Sequence, residues 1–373
     1  MSAQVKHGAE SSPLAARLKE RIAREGPISV HDYMEACLAD RAAGYYLTRQ
    51  PIGRDGDFIT APEISQIFGE LIGAWAATVW QGMGAPVHFT IAELGPGRGT
   101  LMADALRVFD TVPKLLDGAT LALVETSPVL RQLQQEKLRN APGLLRWFER
   151  MEDVPDGPLI LIANEFVDAL PIRQFVRASA IWRERCIGLA TDGTFGFCAG
   201  RAVETDALPA FARGVEAAEG AVVEMCPAVS KLLTDLVARA KHAPLAALIA
   251  DYGHAESGFG ETLQAVRAHR YADPLSAPGE ADLTAHVDFA ALKESAKALG
   301  LATFGPMPQG EFLLKLGLAA RAERLTRNAA SEKRQAILSG AARLTDPRQM
   351  GVLFKVLVLQ SSGLAPPPPF GDI

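Results

Sequence analysis

The sequence predicts an α/β protein built on a doubly wound, mostly parallel sheet. Four apolar runs recur after residue 86, namely HFTIAEL, TLALVE, PLILIAN and PLAALIADY, and each is followed by a turn signal and a helical stretch. Parallel strands that helices cover on both faces need such continuous apolar runs. Two more runs, LATFG (301–305) and VLFKVLVLQ (352–360), bring the predicted sheet to six or seven strands.

A helical region is predicted ahead of the sheet, in residues 1–85. Leu14, Leu18 and Ile22 recur at helical spacing, and Ser29 can cap a second helix. The segment TAPEISQIFGELIGAWAATVW then predicts a further helix, because its first residues fit a capping box and its apolar side chains line one face. The capping box pairs Thr60 with Glu63.

Three stretches are longer than the usual connections of such a sheet. The first, at about 170–225, alternates apolar and polar residues around an Asp-Gly turn, which indicates antiparallel strands. The second, 252–286, is rich in Gly, His and Pro, and both follow strand ends at the edge where open α/β sheets bind ligands. A helical insert at 309–347 precedes the last strand. The predicted core is therefore 86–363, and a Pro-rich tail (364–373) follows it.

Composition excludes several classes of protein. The net charge of −5 is spread over residues of both signs, so no nucleic-acid partner is expected. No apolar run approaches the roughly 18 residues of a membrane span, and the first residues lack a secretory h-region. The cysteines show no metal-ligand or disulfide spacing, so we expect reduced thiols, no metal and a soluble cytoplasmic protein. They are Cys37, Cys186, Cys198 and Cys226.

The turn after the first predicted strand, TIAELGPGRGT, carries the strongest local signal. Gly95, Gly97 and Gly99 let the backbone approach a ligand closely, but their GxGxG spacing differs from the dinucleotide pattern GxGxxG. Glu93 is the better discriminator, because a carboxylate about 5 Å from a pyrophosphate costs roughly 3 kcal/mol per charge pair. An ammonium and a sulfonium would be stabilised there, which predicts S-adenosylmethionine. Arg98, which could pair with a phosphate, is the feature against this reading.

Glu125 closes the next strand in LALVETSPVL. Its two oxygens can accept hydrogen bonds from both hydroxyls of a ribose. Alternatively, Glu125 helps to cap the helix that starts near Ser127, with Pro128 in its first turn. Because it follows the glycine-rich turn by one strand–helix unit, we favour the ribose role.

Six segments resemble, in order, the MidA family of S-adenosylmethionine-dependent methyltransferases, over about residues 28–360. The resemblance implies a class I, Rossmann-like methyltransferase sheet with S-adenosylmethionine as cofactor. Mitochondrial members assist assembly of respiratory complex I by dimethylating an arginine on one of its subunits, which implies a protein substrate of that kind. The segment GRDGDFITAPE would then cover the donor pocket, where Gly53, Asp57 or Thr60 contact the cofactor or exclude water. The segments are GRDGDFITAPEISQIFGE, ELGPGRGTLMADALR, LVETSPVLRQLQ, ANEFVDALPIRQF, DYGH and PGEADLTAHVDFAAL.

For an arginine substrate, the acids in LILIANEFVDALP are candidates to hold the guanidinium. Glu165 is the predicted clamp, Asp168 the second acid, and Asn164 lies beside them. The alternative is that these acids begin a short helix and interact with its dipole. The turn lacks the Asn-Pro-Pro-aromatic pattern common among methyltransferases of base nitrogens, which disfavours a nucleic-acid base as acceptor.

The strand that ends in IADYGH reaches the same edge. Asp251 and His254 are candidates for the substrate side, and His254 could accept a proton near neutral pH. A lone histidine in a loop is also commonly a structural hydrogen-bonding residue. His286 has the same two alternatives, a substrate-side role or a structural one. The structural alternative holds because Asp288 or Thr284 can cap the helix that follows.

Two other function classes stay open at this point. An assembly chaperone could retain a vestigial cofactor site as a scaffold, and the large inserts favour this reading. A nicotinamide-dependent oxidoreductase is the other. The oligomeric state is not predicted.

Overall fold

The computed structural model describes residues 12–48, 53, 57, 59–141 and 144–371. The helices of this part of the chain are α1 (Pro13–Glu25), α2 (Val30–Ala39), α3 (Tyr45–Thr48), α4 (Ala61–Ile64), α5 (Gln66–Gly82), α6 (Thr100–Phe109), α7 (Pro128–Lys137), α8 (Pro227–Ala240), α9 (Phe289–Ala298), α10 (Gln309–Lys315), α11 (Leu318–Thr326), α12 (Ser331–Thr345) and α13 (Met350–Leu353). The strands are β1 (Ile28–Ser29), β2 (Phe89–Leu94), β3 (Ala119–Val124), β4 (Leu144–Phe148), β5 (Leu159–Asn164), β6 (Arg173–Ala178), β7 (Ile181–Leu189), β8 (Phe195–Ala202), β9 (Val222–Met225), β10 (Leu245–His254), β11 (Gln264–Arg267), β12 (Arg270–Ala272), β13 (Asp282–Thr284), β14 (Val287–Asp288), β15 (Ala302–Pro308) and β16 (Phe354–Gln360).

The main sheet confirms the predicted doubly wound class. Its strand order is β15-β16-β10-β5-β2-β3-β4, and β14 pairs with the end of β10. The strands from β10 to β4 are parallel, whereas β16 runs antiparallel to β10 and β15 antiparallel to β16. The chain lays β3 and β4 on one side of β2, and β5 and β10 on the other. A crevice therefore opens at the C-terminal ends of β2 and β5, where the winding direction reverses.

Apolar layers cover both faces of this sheet. Ile91 of β2 packs in the layer formed by α5 and α6, whereas Ala92 and Leu94 pack in the layer formed by α8 and α9. Successive strand residues point to opposite faces, so burial on both sides explains the unbroken apolar runs. Strand β4, LLRWF, is the partly exposed edge strand and includes Arg146. Its apolar run is therefore interrupted, and its sequence predicts a strand less clearly.

The N-terminal helices and the first insert share a separate apolar core. Strand β1 pairs antiparallel with β7, which places Ile28 opposite Ile187. Leu14 and Tyr33 pack in the same cluster as Ile187 and Leu283, so this core also reaches the second insert. These contacts fix both inserts beside the C-terminal edge of the main sheet. Helix α5, which lies within the predicted N-terminal region, packs on the main sheet instead.

The predicted capping box does not form. Thr60 occupies the N-cap of α4, but its side chain makes no capping hydrogen bond. The helical pattern breaks at Ser65, whose hydroxyl accepts a hydrogen bond from the Ile67 N–H at 3.3 Å and starts α5. Glu63 turns toward Thr100 instead and accepts a hydrogen bond from its hydroxyl. Among the described helices, none has the length and apolar character needed to cross a membrane.

Candidate active site

A cavity of about 720 Å³ lies at the C-terminal ends of β2, β3 and β5. Most of the predicted site residues line it together, although they come from four separate parts of the sequence. Those residues are Asp57, Thr60, Glu93, Gly95, Gly97, Glu125, Asn164, Glu165 and Asp168. We call the part beside the glycine-rich turn the donor end, and the part beside Glu165 and Asp168 the acceptor end.

The glycine-rich turn forms one wall of the donor end. Gly95, Gly97 and Gly99 have φ values of 59°, 54° and 74°, in the left-handed region that favours glycine. A Cβ atom at Gly95 would lie 2.7 Å from the ring of Phe166, so this position also requires a hydrogen side chain for space. Gly99 is the N-cap of α6, and a ligand in the cavity therefore lies next to a helix N-terminus.

Glu93 lies beneath this turn and is only 3% exposed. Its Oε2 atom has no hydrogen-bond partner among the described residues. Burial raises the pKa of Glu93 to about 8, although a backbone hydrogen bond from Met102 acts in the opposite direction. A buried carboxyl with an unpaired oxygen is unfavourable by itself, and a cationic ligand would relieve that cost.

Glu125 lies at the start of α7 and at the cavity wall. One oxygen accepts a hydrogen bond from the Ser127 N–H at 2.8 Å, and the Ser127 hydroxyl in turn caps α7 by accepting from the Leu130 N–H at 3.3 Å. The Glu125 side chain also lines the cavity. Burial raises its pKa. The cap contact therefore fixes the carboxylate while leaving it at the cavity wall, and its contact with a ribose stays a prediction.

Gln134 is a residue that the sequence analysis missed. Its amide donates to the Gly97 carbonyl at 2.8 Å and to Glu125 Oε2 at 3.3 Å, and its oxygen accepts from the Trp147 indole at 2.9 Å. Gln134 thereby ties the glycine-rich turn to the acid on the next strand. The sequence signal that could have found Gln134 is its position, one helical turn after Leu130 on the buried face of α7. A polar side chain on a buried face needs hydrogen-bond partners.

Arg98 does not present a free cation to a phosphate. Its guanidinium lies 3.5 Å from the Glu63 carboxylate. Because Glu63 also accepts from Thr100, the start of α4 is fixed over the glycine-rich turn. A Cβ at Gly53 would lie 2.5 Å from the Arg98 guanidinium, so Gly53 packs against the back of this pair.

The segment predicted to cover the donor pocket is described only in part, since residues 54–56 and 58 lie outside the described residues. Asp57 lines the cavity and accepts hydrogen bonds from the Tyr45 hydroxyl and the Ala268 N–H, both at 2.6 Å. It therefore joins the N-terminal region to the second insert. Its contact with a cofactor stays a prediction.

The acceptor end begins at Glu165, directly after β5. Its φ of 48° is a strained value for a residue other than glycine. One oxygen accepts from the Ala61 N–H at 2.7 Å and from the Asn164 amide at 3.3 Å. Burial, together with the charge of Asp168, raises the pKa of Glu165 to about 7, while Arg343 acts weakly in the opposite direction. No helix begins at residues 165–170, so the helix-dipole alternative for these acids is wrong.

Asp168 is 6% exposed, and its Oδ1 atom has no hydrogen-bond partner among the described residues. The Oδ1 atom of Asn164 is unpartnered in the same sense. Burial raises the pKa of Asp168 to about 6, although a hydrogen bond from Tyr252 favours the ionised form. The acceptor end thus contains buried oxygens that can still accept hydrogen bonds from a ligand.

Asp251 has a different place from the one predicted. It lies under the turn, where one oxygen accepts from the N–H groups of Phe166, Val167 and Asp168 at 2.9–3.2 Å. The other accepts from the Tyr252 N–H at 2.9 Å. Asp251 is not among the described residues that line the cavity, so it positions the Glu165–Asp168 turn from behind.

Two predicted site residues, Gly99 and His254, are not among the described residues that line this cavity. His254 lines a second cavity of about 780 Å³, and its Nε2 atom lies 3.7 Å from Asp288. Asp288 caps α9 by accepting from the Ala291 N–H at 2.9 Å, in agreement with the capping alternative. His286 lines both cavities and separates them.

A doubly wound sheet, a left-handed glycine turn over a buried acid, and a second acid ending the next strand define an S-adenosylmethionine-dependent methyltransferase. Residues 71–307 match a family model described as "Putative S-adenosyl-L-methionine-dependent methyltransferase". The chain belongs to this family, which confirms both the resemblance and the predicted cofactor. The oxidoreductase alternative is therefore set aside.

Individual relatives agree over nearly the whole chain. The chain is 37% identical to "Protein arginine methyltransferase NDUFAF7 homolog, mitochondrial" of Drosophila melanogaster, over 94% of this chain and 86% of the relative. It is 36% identical to the Homo sapiens protein of that name, over 93% of this chain and 83% of the relative. A Burkholderia thailandensis crystal structure, described as a "likely methyl transferase" bound to S-adenosyl-homocysteine, matches with a TM-score of 0.80 and 28% identity. That match covers 95% of this chain and 93% of the other.

The cytoplasmic prediction is wrong by the same comparison, because the Drosophila and human relatives are named as mitochondrial proteins. The prediction depended on reduced thiols and on the lack of a secretory h-region. Neither property distinguishes the cytoplasm from other reducing compartments. The four cysteines are indeed free thiols in the structure.

Proposed function

We propose that this methyltransferase transfers methyl groups from S-adenosylmethionine to an arginine side chain of a protein substrate. The observation that carries the proposal is the acceptor end, where the half-buried Glu165 lies in the same turn as Asn164 and Asp168, two buried residues with Oδ1 atoms that can accept further hydrogen bonds. A guanidinium has the charge and the planar donors to satisfy them. The names of the relatives, which are protein arginine methyltransferases, support the same substrate class.

The donor end fits S-adenosylmethionine, because unpaired Glu93 can offset positive charge and the glycine-rich turn leaves space for close approach. When bound, this cofactor supplies a methyl group on a positively charged sulfur. In our proposal Glu125 holds the ribose. Gln134 fixes the position of the glycine-rich turn relative to Glu125 by donating hydrogen bonds to both. Glu63 and Arg98 fix α4 above the pocket and exclude water from it.

The acceptor end would position the substrate nitrogen and take its proton. Methyl transfer requires that nitrogen within about 3–3.5 Å of the methyl carbon and in line with it. Glu165 and Asp168 can hold two nitrogens of the guanidinium and leave the third facing the donor. Because the pKa of Glu165 is about 7, this carboxylate can accept the proton released as the new nitrogen–carbon bond forms.

The test is methyl transfer from labelled S-adenosylmethionine to candidate partner subunits, with arginine products identified by mass spectrometry. Glu165→Gln should lower kcat by at least about 100-fold, while the affinity for S-adenosylhomocysteine stays within about twofold. Glu184→Gln, which changes another buried acid in the first insert, is the matched control and should keep activity. Capture of a partner without any label transfer, unchanged by Glu165→Gln, would favour the assembly chaperone and overturn the proposal.

We further propose that the substrate is a subunit of respiratory complex I, as the family resemblance implies. Complex I subunits from cells with and without this chain can be compared by mass spectrometry. An arginine that is methylated only in the presence of the chain identifies both subunit and site. Identical methylation in both samples would exclude complex I and leave arginine methylation to be tested on other partners.

A further inference from the structure

We propose that Asp282 and Tyr46 form a second half of the acceptor site, in which Asp282 binds the substrate cation together with Glu165 and Asp168, and Tyr46 positions Asp282. This inference rests on the proposed arginine substrate and extends it to two residues for which the sequence predicted no role. Asp282 starts β13 in the second insert, and Tyr46 lies in α3 of the N-terminal region. Both side chains line the same cavity as Asp168.

The two halves are joined by hydrogen bonds. The Ala285 N–H, just beyond β13, donates to the Asp168 carbonyl at 2.9 Å, which fixes the insert strand against the turn after β5. The Tyr46 hydroxyl donates to Asp282 Oδ1 at 2.8 Å. Burial raises the pKa of Tyr46 well above its usual value, so the phenol keeps its proton and remains a donor. Asp282 is therefore held in one orientation by a neutral partner.

The environment of Asp282 is that of a ligand-binding acid rather than a structural one. Asp282 is 4% exposed, and among the described residues neither it nor Asp168 forms an ion pair with a basic side chain. Burial and the charge of Asp168 raise the pKa of Asp282 to about 8. Glu70 is as deeply buried, at 3%, but it has a structural counterion, because Arg321 donates to both of its oxygens at 2.7 and 2.8 Å.

A guanidinium fits this arrangement better than an ammonium. Its five N–H donors lie in one plane around a delocalised charge, whereas an ammonium offers three donors on one point charge. Glu165 and Asp168 come from the turn after β5, and Asp282 comes from a strand of the insert. Carboxylates from two elements can contact different nitrogens of one planar cation, which would also orient the nitrogen that faces the donor.

The experiment is a ligand-observed NMR titration of the full chain, saturated with S-adenosylhomocysteine, with butylguanidine as the probe. Butylurea, its neutral counterpart, measures the contribution of charge. We expect saturable binding of butylguanidine, little binding of butylurea, and an affinity for butylguanidine about tenfold or more lower in Asp282→Asn. This substitution keeps an oxygen for the Tyr46 hydroxyl and removes the charge. Tyr46→Phe should weaken binding several-fold and raise KM for the protein substrate more than it lowers kcat.

Matched controls separate binding from folding. Tyr33→Phe removes another buried hydroxyl of the N-terminal region, which donates to the Pro274 carbonyl at 2.8 Å outside the described cavity lining. Asp104→Asn changes a buried acid of α6 that is likewise outside that lining. Both should leave probe binding unchanged. If Asp282→Asn fails to fold, the same titration is carried out with Tyr46→Phe and with Asp282→Glu, which retains the charge.

Two results would overturn this inference. One is the absence of saturable butylguanidine binding to the wild-type protein, and the other is equal binding to wild type, Asp282→Asn and Tyr46→Phe. Neither decides the proposed function, which is tested separately by arginine methylation in a protein substrate. Wild-type methylation of arginine with unaltered KM in both variants would leave the proposed function standing and remove Asp282 and Tyr46 from the site.

Discussion

The donor end and the acceptor end of the cavity are built in different ways. The donor end comes from two consecutive strand–helix units, so the residues that form it lie within 45 positions of the chain, from Glu93 to Lys137. The acceptor end combines the turn after β5 with α3 and with the insert strand β13, so Tyr46 and Asp282 are 236 positions apart. A contiguous segment can carry a recognisable motif. Residues that come from separate segments share no single motif, even where each segment, such as PGEADLTAHVDFAAL around Asp282, is recognisable.

The electrostatics of the two ends differ as well. At the donor end, Glu125 has several hydrogen bonds and Glu93 has one unpaired oxygen. At the acceptor end, the charges of Glu165, Asp168 and Asp282 interact with one another, and burial raises the pKa of each. The donor end is therefore largely preorganised, whereas the acceptor end gains most from an incoming cation.

The largest expected effect is at the donor end, from Gly95→Val. The valine Cβ would meet the Phe166 ring at 2.7 Å, and φ of 59° is unfavourable for a β-branched residue. We expect at least about 100-fold weaker binding of S-adenosylhomocysteine, or roughly 3 kcal/mol, by calorimetry. Gly82→Ala, where a Cβ meets open space, is the control. Normal binding by a folded Gly95→Val protein would show that the turn does not contact the donor.

Glu125→Gln comes next in size. The loss of a charged acceptor for two ribose hydroxyls should weaken S-adenosylhomocysteine binding by about 10- to 100-fold. The substitution keeps an oxygen for the Ser127 N–H, so α7 should remain capped. Asp282→Asn should leave this affinity unchanged. If both variants lost donor affinity equally, the division into a donor end and an acceptor end would be wrong.

Sequence reasoning reached the fold and the donor end because both depend on local patterns. Buried parallel strands are unbroken apolar runs, and a left-handed turn requires glycine at Gly95, Gly97 and Gly99. Among the described strands, those without an explicit assignment were the partly exposed edge strand β4, the short strands β1 and β14, and β11–β13 of the second insert. These features need no knowledge of which distant segments meet.

The remaining features depended on tertiary contacts that periodicity does not encode. Thr60 and Glu63 match a capping box in sequence, but Glu63 finds a better partner in Thr100 once α4 lies on the glycine-rich turn. Asp251 ends a strand like a ligand-binding acid, yet four backbone N–H groups surround it. Asp282 lies in the segment PGEADLTAHVDFAAL, and the packing of β13 against the turn after β5 brings it to the cavity.

The pH dependence of donor binding is expected to be about tenfold. Burial raises the pKa of Glu93 from 4.5 to about 8, so without ligand it is largely protonated at pH 6 and largely ionised above pH 8. A cationic donor binds the ionised form better. The affinity for S-adenosylmethionine should therefore rise about tenfold from pH 6 to pH 8. Calorimetry at several pH values, with Glu93→Gln as the variant that loses the rise, measures this effect.

Glu93 should also make the free energy of unfolding depend on pH, with the opposite sign to donor binding. The unfolded chain ionises Glu93 above pH 4.5, whereas the ligand-free native protein retains the proton until about pH 8. The native state then binds more protons between these values, so the contribution of Glu93 to the free energy of unfolding falls as pH rises through this window. Glu93→Gln should flatten the fall, by no more than about 1.4 kcal/mol per pH unit. An unchanged slope in denaturant titrations would mean that Glu93 is already ionised in the native state.

The smallest expected effect concerns Thr60, at the segment that touches both ends of the cavity. Ala61 donates to Glu165 at the acceptor end, and Glu63 accepts from Thr100 at the donor end, but the Thr60 side chain caps nothing. Thr60→Ala should therefore change the free energy of unfolding by less than about 0.5 kcal/mol, whereas Ser127→Ala, which removes a true cap, should cost about 1 kcal/mol. Donor affinity of Thr60→Ala should stay within about twofold. A larger loss of donor affinity with unchanged stability would assign the Thr60 hydroxyl to the cofactor, as the family resemblance implies, and would extend the donor end into the N-terminal region.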